Sequence, residues 1–289
     1  MKRRTYLLML AIGVLTITSC GKESSLSREK TLEYVNQIME YQNKEEFSFP
    51  NSFEIKSYTE ETKSLKIGSK ETVTGYISNA TLIYDSDARY LSYIGDGEQN
   101  GVKSTFAYYL YKNDNKFIVA TDSNGQKEYV EKTYSIMNGE NTIINFLGQL
   151  LGDYTSTIKG QDFLSSIDIY FDSYSEENNT LDISIDGTTS NLFDVNKFEF
   201  LKEEDGHFAY NIEAVYAKDV DVNAKTNNTY IESVEIKNYL MNYYEIAFIS
   251  ENSNSTSSST VLTKYVENYS YENIEFSYPN LEEFTLTNN

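Results

Sequence analysis

Residues 207–216 read HFAYNIEAVY, with Phe208, Tyr210, Ile212, Ala214 and Tyr216 on one side and His207, Ala209, Asn211, Glu213 and Val215 on the other. Successive side chains of an extended chain point to opposite faces, so this alternation predicts a strand with one buried face. His207, the single histidine, stands opposite the apolar side and is expected to meet solvent. Working outward, the same period of two predicts strands over Ser166–Phe171 (Ile167, Ile169, Phe171) and Leu181–Ile185. It continues at Val234 with Ile236 and at Tyr244, Ile246 and Phe248, and an alternation of Ile274, Phe276 and Tyr278 stops at Pro279. Earlier in the chain, Thr72–Tyr84, Arg89–Ile94, Thr105–Tyr111 and Lys116–Thr121 gather aromatic and β-branched residues between turns. Lys112-Asn113-Asp114-Asn115 and Asp122-Ser123-Asn124-Gly125 supply hairpin chemistry, so these segments read as a meander.

Two stretches break the alternation. From Arg28 to Lys44, Leu32, Val35, Ile38 and Met39 recur at helical spacing; between Asn141 and Leu151, Ile143, Ile144, Phe146, Leu147, Leu150 and Leu151 form a broad apolar face. A helix that apolar needs a sheet face to pack on. Asn252–Ser259, NSNSTSSS, has nothing to bury and reads as an exposed flexible loop, and Val261–Tyr271 fits helix or strand. The pattern predicts a mainly β chain with packed helices (α+β): a large twisted antiparallel sheet, with an unclosed half-barrel as one form it can take. The strand-rich blocks on either side of Asn141–Leu151 read as two half-sheets of one domain, residues 28–289.

The 289 residues include 24 Lys+Arg and 44 Asp+Glu, a net charge of −20, with 2 Pro, 1 Cys, 26 Tyr and 15 Phe. That many aromatics argue for a folded core rather than an acidic disordered tail. A surface this negative lacks the clustered cations that displace counterions from a phosphate backbone, which excludes general nucleic-acid binding.

The chain begins MKRRTYLLMLAIGVLTITSC: Lys2, Arg3 and Arg4 precede the apolar run Tyr6–Ile17, which ends in small polar residues. This is the form of an export signal over residues 1–19. Through Ile17-Thr18-Ser19-Cys20, placed directly after that run, the leader resembles a bacterial lipoprotein precursor. The resemblance implies cleavage before Cys20, a diacylglyceryl group on its sulfur and acylation of the new amino terminus. Residues 20–27 then form a short lipidated tether, and the protein is exported and anchored to the outer face of the cell membrane or to an outer membrane. A lone cysteine has no partner for an intrachain disulfide, so lipidation gives it a use. Loss of three basic residues takes the charge to −23 (21 − 44), which makes acyl chains, at about 0.8 kcal/mol per buried CH₂, the expected source of attachment.

Catalytic signatures are weak. There is no nucleophile elbow, no phosphate-cradling glycine loop and no paired-histidine metal motif, so no cofactor or metal is expected and the chain does not read as an enzyme. Abundant carboxylates leave a carbohydrate-acting enzyme open, because spacing cannot reveal two carboxyls held across a sugar. Asp219-Val220-Asp221-Val222-Asn223 opens like a calcium loop, but Ala224 and Tyr230 stand where Gly and Glu are needed, and an acidic hairpin edge fits better. Tyr108, Tyr109, Tyr111, Tyr243 and Tyr244 suit a groove for sugar rings or peptide, and equally suit ordinary strand packing.

An initial helix, many antiparallel strands and apolar helices beside one sheet face resemble the periplasmic lipoprotein-carrier and mycobacterial lipid-binding lipoprotein superfamily, over about Arg28–Tyr278. The resemblance implies an unclosed barrel around helices, with Ile144, Leu147, Leu151, Phe208, Tyr210, Ile212, Ala214 and Tyr216 facing a lipid or other apolar ligand. The same residues also suit a filled core. A structural, adhesion or envelope-interaction lipoprotein without a deep pocket is the alternative.

Overall fold

The computed structural model describes residues 25–114, 116–133, 154–184, 190–221 and 224–287. Leader and Cys20 lie outside the described residues, as does Asn141–Leu151 with Ile144, Leu147 and Leu151.

Helix α1 (Arg28–Gln42) is followed by six strands in antiparallel succession: β1 (Ser52–Ile67), β2 (Lys70–Asp85), β3 (Tyr90–Gln99), β4 (Val102–Asn113), β5 (Lys116–Ser123) and β6 (Gln126–Thr133). Helical residues 154–159 and helix α2 (Gln161–Ser173) lead into a second succession. It comprises β7 (Tyr174–Ser175), β8 (Thr180–Ser184), β9 (Ser190–Lys202), β10 (Phe208–Asp221), β11 (Ala224–Lys237), β12 (Leu240–Ser253) and β13 (Ser257–Ser270). The two meanders join where β13 pairs antiparallel with β1, from Glu54↔Ser270 to Ile67↔Ser257. A short strand, β14 (Thr285–Leu286), pairs parallel with β6, giving one 14-stranded mixed sheet with β14 at one edge and β7 at the other, not closed into a barrel.

Direct partners across an antiparallel ladder share a face, so the registers divide the sheet. One face carries Phe53, Ile55, Leu82, Tyr84 and Leu91 from the first meander and Phe193, Phe200, Phe208, Tyr210, Ile212, Ala214 and Val234 from the second; all belong to the main core. The helices lie against this face through Tyr34, Val35 and Ile38 of α1, Ile158, and Leu164 and Ile167 of α2. The buried face of α1 runs Thr31, Tyr34, Val35, Ile38, Gln42, a helical spacing rotated slightly from the expected stripe, so Leu32 and Met39 are only partly buried. Gln42 fixes the end of α1 by donating to the Lys159 and Tyr239 carbonyls at 2.7 and 2.8 Å. Gly160 starts α2 at φ 64°, where a Cβ would stand 2.7 Å from Met241 Sδ, so the turn into this helix favours glycine for backbone and space together.

Three expectations are corrected. Ser166–Phe171 belongs to α2 and not to a strand: Ile167 is fully buried while Ile169 is 64% exposed, whereas a strand would put both on one face. The helical set Phe163, Leu164, Ile167, Tyr170 and Phe171 explains the apolar residues better. Asn252–Ser259 is not a flexible loop but the tip of a paired hairpin. Asn254 Oδ1 accepts from the backbone N–H groups of Thr256 and Ser257, and the serines that follow form ladder bonds with β1, so backbone pairing orders a segment with nothing to bury. Val261–Tyr271 is strand through Ser270.

The third correction is His207. It lies opposite the apolar face as expected, yet is only 6% exposed, because Glu203 and Glu235 close over it, each with an oxygen 3.1 Å from one ring nitrogen. The hydrogen bond to Glu235 raises the His207 pKa against the opposing effect of burial, and Glu203 adds to the rise. The same bond, helped by Asn242, lowers Glu235. A histidine with a raised folded pKa contributes fully below its unfolded value, about 6.5, and loses that contribution as pH rises through the folded value. Denaturant midpoints of the native protein should therefore fall as pH rises from about 6 through that range. His207→Gln should flatten this part of the profile; an unchanged slope would show that the pair is not the titrating element.

The opposite, outer face is covered over β2–β5 by the C-terminal strap, residues 274–284. Ile274, Phe276, Leu281 and Phe284 pack on Ile83, Tyr90, Tyr111, Ile118 and Ala120. Phe276 stacks on Tyr90 at 4.4 Å, and the Tyr90 hydroxyl donates to the Ser277 carbonyl at 3.0 Å. The alternation before Pro279 thus marks an extended strap over a sheet and not a further ladder strand. Its continuation, β14, pairs with Glu128 and Tyr129 in the middle of the open edge of β6, shortening the row of unpaired backbone groups exposed there. The hairpin expected near Asp219–Asn223 joins β10 to β11, with a bulge between Asp219 and Asp221.

Candidate functional site

The residues expected to line a concavity meet here in part. Phe208, Tyr210, Ile212 and Ala214 have no exposed surface, and Tyr216 is half-buried at the margin of the same core. Tyr210 meets Phe200 at 5.8 Å and α2's Tyr170 at 5.9 Å, and Phe208 meets Tyr34 of α1 at 6.3 Å. Aromatic contact of this kind fills the space under the helices with side chains.

At its centre lies Glu232 of β11, 3% exposed and unforeseen by the sequence analysis. Its Oε1 accepts from the Tyr210 hydroxyl at 2.7 Å, and its Oε2 accepts from the hydroxyls of Tyr170 and Tyr230. Burial, reinforced by Glu232, pushes all three phenols upward, which keeps them protonated as donors. The carboxyl group is thereby satisfied in a nearly dry setting. Two strands over, Glu267 accepts from Tyr265 and Tyr269 on the same face. The signal was available: Tyr230, Glu232, Val234 and Ile236 share one parity, so an acid stands in the apolar register of β11. Pairing a carboxylate with phenols needs no further charge, and it pins α2 to the sheet through Tyr170. An ion pair from Arg28 of α1 to Asp168 and Asp172 of α2 adds a solvent-exposed tie.

Outside the core, a groove of about 520 Å³ opens on β2–β5. Thr81, Ile94 and Ala107 form one cross-strand row of its floor, and Asn79, Asp96 and Thr105 form the next. Tyr109 and Asp122 bound it, and Asp122 lies 4.0 Å from Lys127, which itself pairs with Glu283 of the strap. Gly95 permits the close approach beneath: a Cβ there would stand 2.3 Å from the Asn79 carbonyl and 2.5 Å from the Phe106 ring. The lining offers two carboxylates, an amide, hydroxyls and two aromatic rings, Phe106 and Tyr109, which suits a hydroxyl-bearing ligand that stacks on a ring more than a lipid chain. A second groove, of about 540 Å³, lies between the β4–β5 turn and the strap, at Tyr111, Lys112, Asp114, Tyr278, Pro279 and Glu282.

Of the tyrosines considered for a groove, Tyr109 lines the first and Tyr111, itself buried, the second. Tyr108 packs against the main core, Tyr244 meets Phe163 at 4.5 Å, and Tyr243 donates to Glu245. His207 belongs to neither groove. Among the described residues, no group of three or more His, Cys, Asp or Glu is arranged to hold a metal, and no helix is long and apolar enough to cross a membrane.

No protein-family model matches the chain, and no curated protein matches it. Among solved structures, it is weakly similar to the translocator domain of the autotransporter NalP from Neisseria meningitidis, at 7% identity over 83% of this chain and 95% of that one, with a TM-score of 0.16. It is likewise weakly similar to a DUF1329 family protein from Desulfovibrio piger, at 12% identity over 86% and 94% of the two chains, with a TM-score of 0.15. Scores this low carry no argument about fold or function.

Proposed function

We propose that the chain is an exported lipoprotein, held at a membrane by acyl chains on Cys20, that works by binding partners at the surface of its sheet and not by enclosing a ligand or by catalysis. The observation that supports this reading is the filled face under the helices, where Phe208, Tyr210, Ile212 and Ala214 have no exposed surface. Enclosing a lipid there would require α1 and α2 to lift and would strip the phenol partners from Glu232. The open groove on β2–β5 is the proposed recognition surface, and its carboxylates and hydroxyls fit a polar, hydroxyl-bearing partner.

Two measurements test the reading. Cys20→Ala should move the protein from the membrane fraction to the soluble fraction, because no acyl chain forms on alanine; equal retention of the variant overturns the tether. Extraction and mass analysis of the native protein, with its own acyl groups counted, should find no additional lipid in stoichiometric amount. A stoichiometric lipid would overturn the surface-binding reading in favour of the carrier.

A further inference from the structure

The sheet has a far end that its acidity conceals. From Phe53 in the core, β1 continues to Ile67, 14 residues and about 46 Å further, and turns back through Gly68 and Ser69 into β2. The β12–β13 hairpin rises to the same height, with Ile67 level with Ser257 and the Gly68 N–H donating to the Thr256 carbonyl at 3.2 Å. The β3–β4 hairpin stops earlier, at the Tyr76↔Gln99 pair. On the other side the β10–β11 hairpin reaches the same height, with Lys225 level with Ser253, Ser258 and Lys66, so this end of the sheet is six strands wide and stands clear of the β3–β4 hairpin alone.

Its chemistry differs from that of the remaining surface. Leu65 is 40% exposed, Ile67 59% and Val73 61%; by register Leu65 and Ile67 lie on the helix-bearing face and Val73, opposite Ser64, on the other. Lys63, Lys66 and Lys70 are exposed among them, and none forms an ion pair with a carboxylate among the described residues. The acid here is Glu71, which accepts from Ser64 at 2.9 Å, so residues 62–74 carry 3 − 1 = +2 in a chain of −20. Residues 252–263 of the adjoining hairpin carry no charge, and Glu251 just below them is level with Ser64.

We propose that the β1–β2 tip is a docking element for an anionic phospholipid bilayer, with Leu65, Ile67 and Val73 entering the interface and Lys63, Lys66 and Lys70 meeting the headgroup phosphates. A folded protein partner would cover one face of a hairpin, whereas a fluid interface surrounds both, and here both faces present aliphatic side chains. Lysine stems extend along apolar surroundings while their ammonium groups stay at headgroup level. By register Glu61, Glu71 and Glu251 stand within a few residues of these lysines, while charges farther away than ~8 Å are screened at physiological salt. The proposal is independent of the tether. Ser25 and Leu26 bond to Phe200, which the registers place level with Ser57, ten residues below Ile67.

The test uses the chain from Gly21 onward, which contains every described contact and lacks both leader and Cys20, so failure of the tether reading leaves it untouched. The protein is sedimented with vesicles of phosphatidylcholine and with vesicles of phosphatidylcholine and phosphatidylglycerol in equal parts. Binding to the anionic vesicles should exceed binding to the neutral ones at least about tenfold and weaken with added salt. Ile67→Asp, and separately Lys63→Glu with Lys66→Glu and Lys70→Glu, should each reduce it about tenfold or more while leaving the denaturant midpoint unchanged, since these residues are exposed. Reversal of Lys30, Lys112 and Lys132 should leave it intact. Equal binding to both vesicles, no binding, unaltered binding by the tip variants, or an equal fall in the control variant would each overturn the proposal.

Discussion

Glu232→Ala is expected to lower stability by about 3–5 kcal/mol, because it removes the acceptor for three phenols that the fold keeps from water. Tyr210 has no exposed surface and its hydroxyl donates to Glu232; Tyr170 and Tyr230 are partly buried and donate to the other oxygen. A buried donor left without a partner costs about 1–3 kcal/mol, and small domains have only about 5–15 kcal/mol in total. Glu232→Gln should cost less, since the amide oxygen still accepts, although its nitrogen faces donors. The guanidinium midpoint measures both. Hydrogen exchange should locate the damage: amides of α2 lose protection first, because Tyr170 ties this helix to the sheet through Glu232. A Glu232→Ala midpoint equal to that of the native protein would mean that the phenols find other partners and that the network is not what fixes the helix.

Phe200→Ala should be comparably damaging, at about 3–5 kcal/mol. The ring has no exposed surface, stacks on Phe171 of α2 at 4.6 Å, and meets Phe198 at 5.0 Å. Its removal leaves a cavity between sheet and helix that neither backbone can collapse to fill. The natural comparison is Ile169→Ala, two positions from both Ile167 and Phe171. A strand in this region would place all three on one face and make this substitution costly too. In the helix Ile169 is 64% exposed, and the change should stay within about 0.5 kcal/mol. Equal losses from Phe200→Ala and Ile169→Ala would contradict the packing of α2 described above.

Much of the architecture was legible because it is local. The alternation in Phe208–Tyr216 reports the backbone's own period, and Asp122-Ser123-Asn124-Gly125 reports a turn that needs positive φ at Asn124 and Gly125, as observed at 52° and 85°. Misreadings arose where two periods coincide over a short run. Ile167, Ile169 and Phe171 satisfy a spacing of two, but Phe163, Leu164 and Tyr170 complete a helical face that a six-residue window cuts off. His207 was assigned correctly to its side of β10 and wrongly to solvent, because parity says which way a side chain points and nothing about what lies above it. Glu203 and Glu235 come from a turn and a neighbouring strand. Glu232 was visible as an acid in apolar phase, but its three phenols come from α2, β10 and β11, and no spacing along the chain predicts that they converge.

Sequence alone was enough for the mainly β character and for the position of most strands and of α1; the leader over residues 1–19 and the lipidation of Cys20 stand as proposals. The strands and α1 follow from interactions between residues a few positions apart, which the order of the chain displays directly. The joining of β1 to β13, the helices on one face and the C-terminal strap on the other, and the closing of the Phe208–Ala214 face into solid core came from the folded molecule. Each depends on which distant segments can approach together while satisfying their backbone groups and filling space, a condition on the whole chain that no single stretch carries.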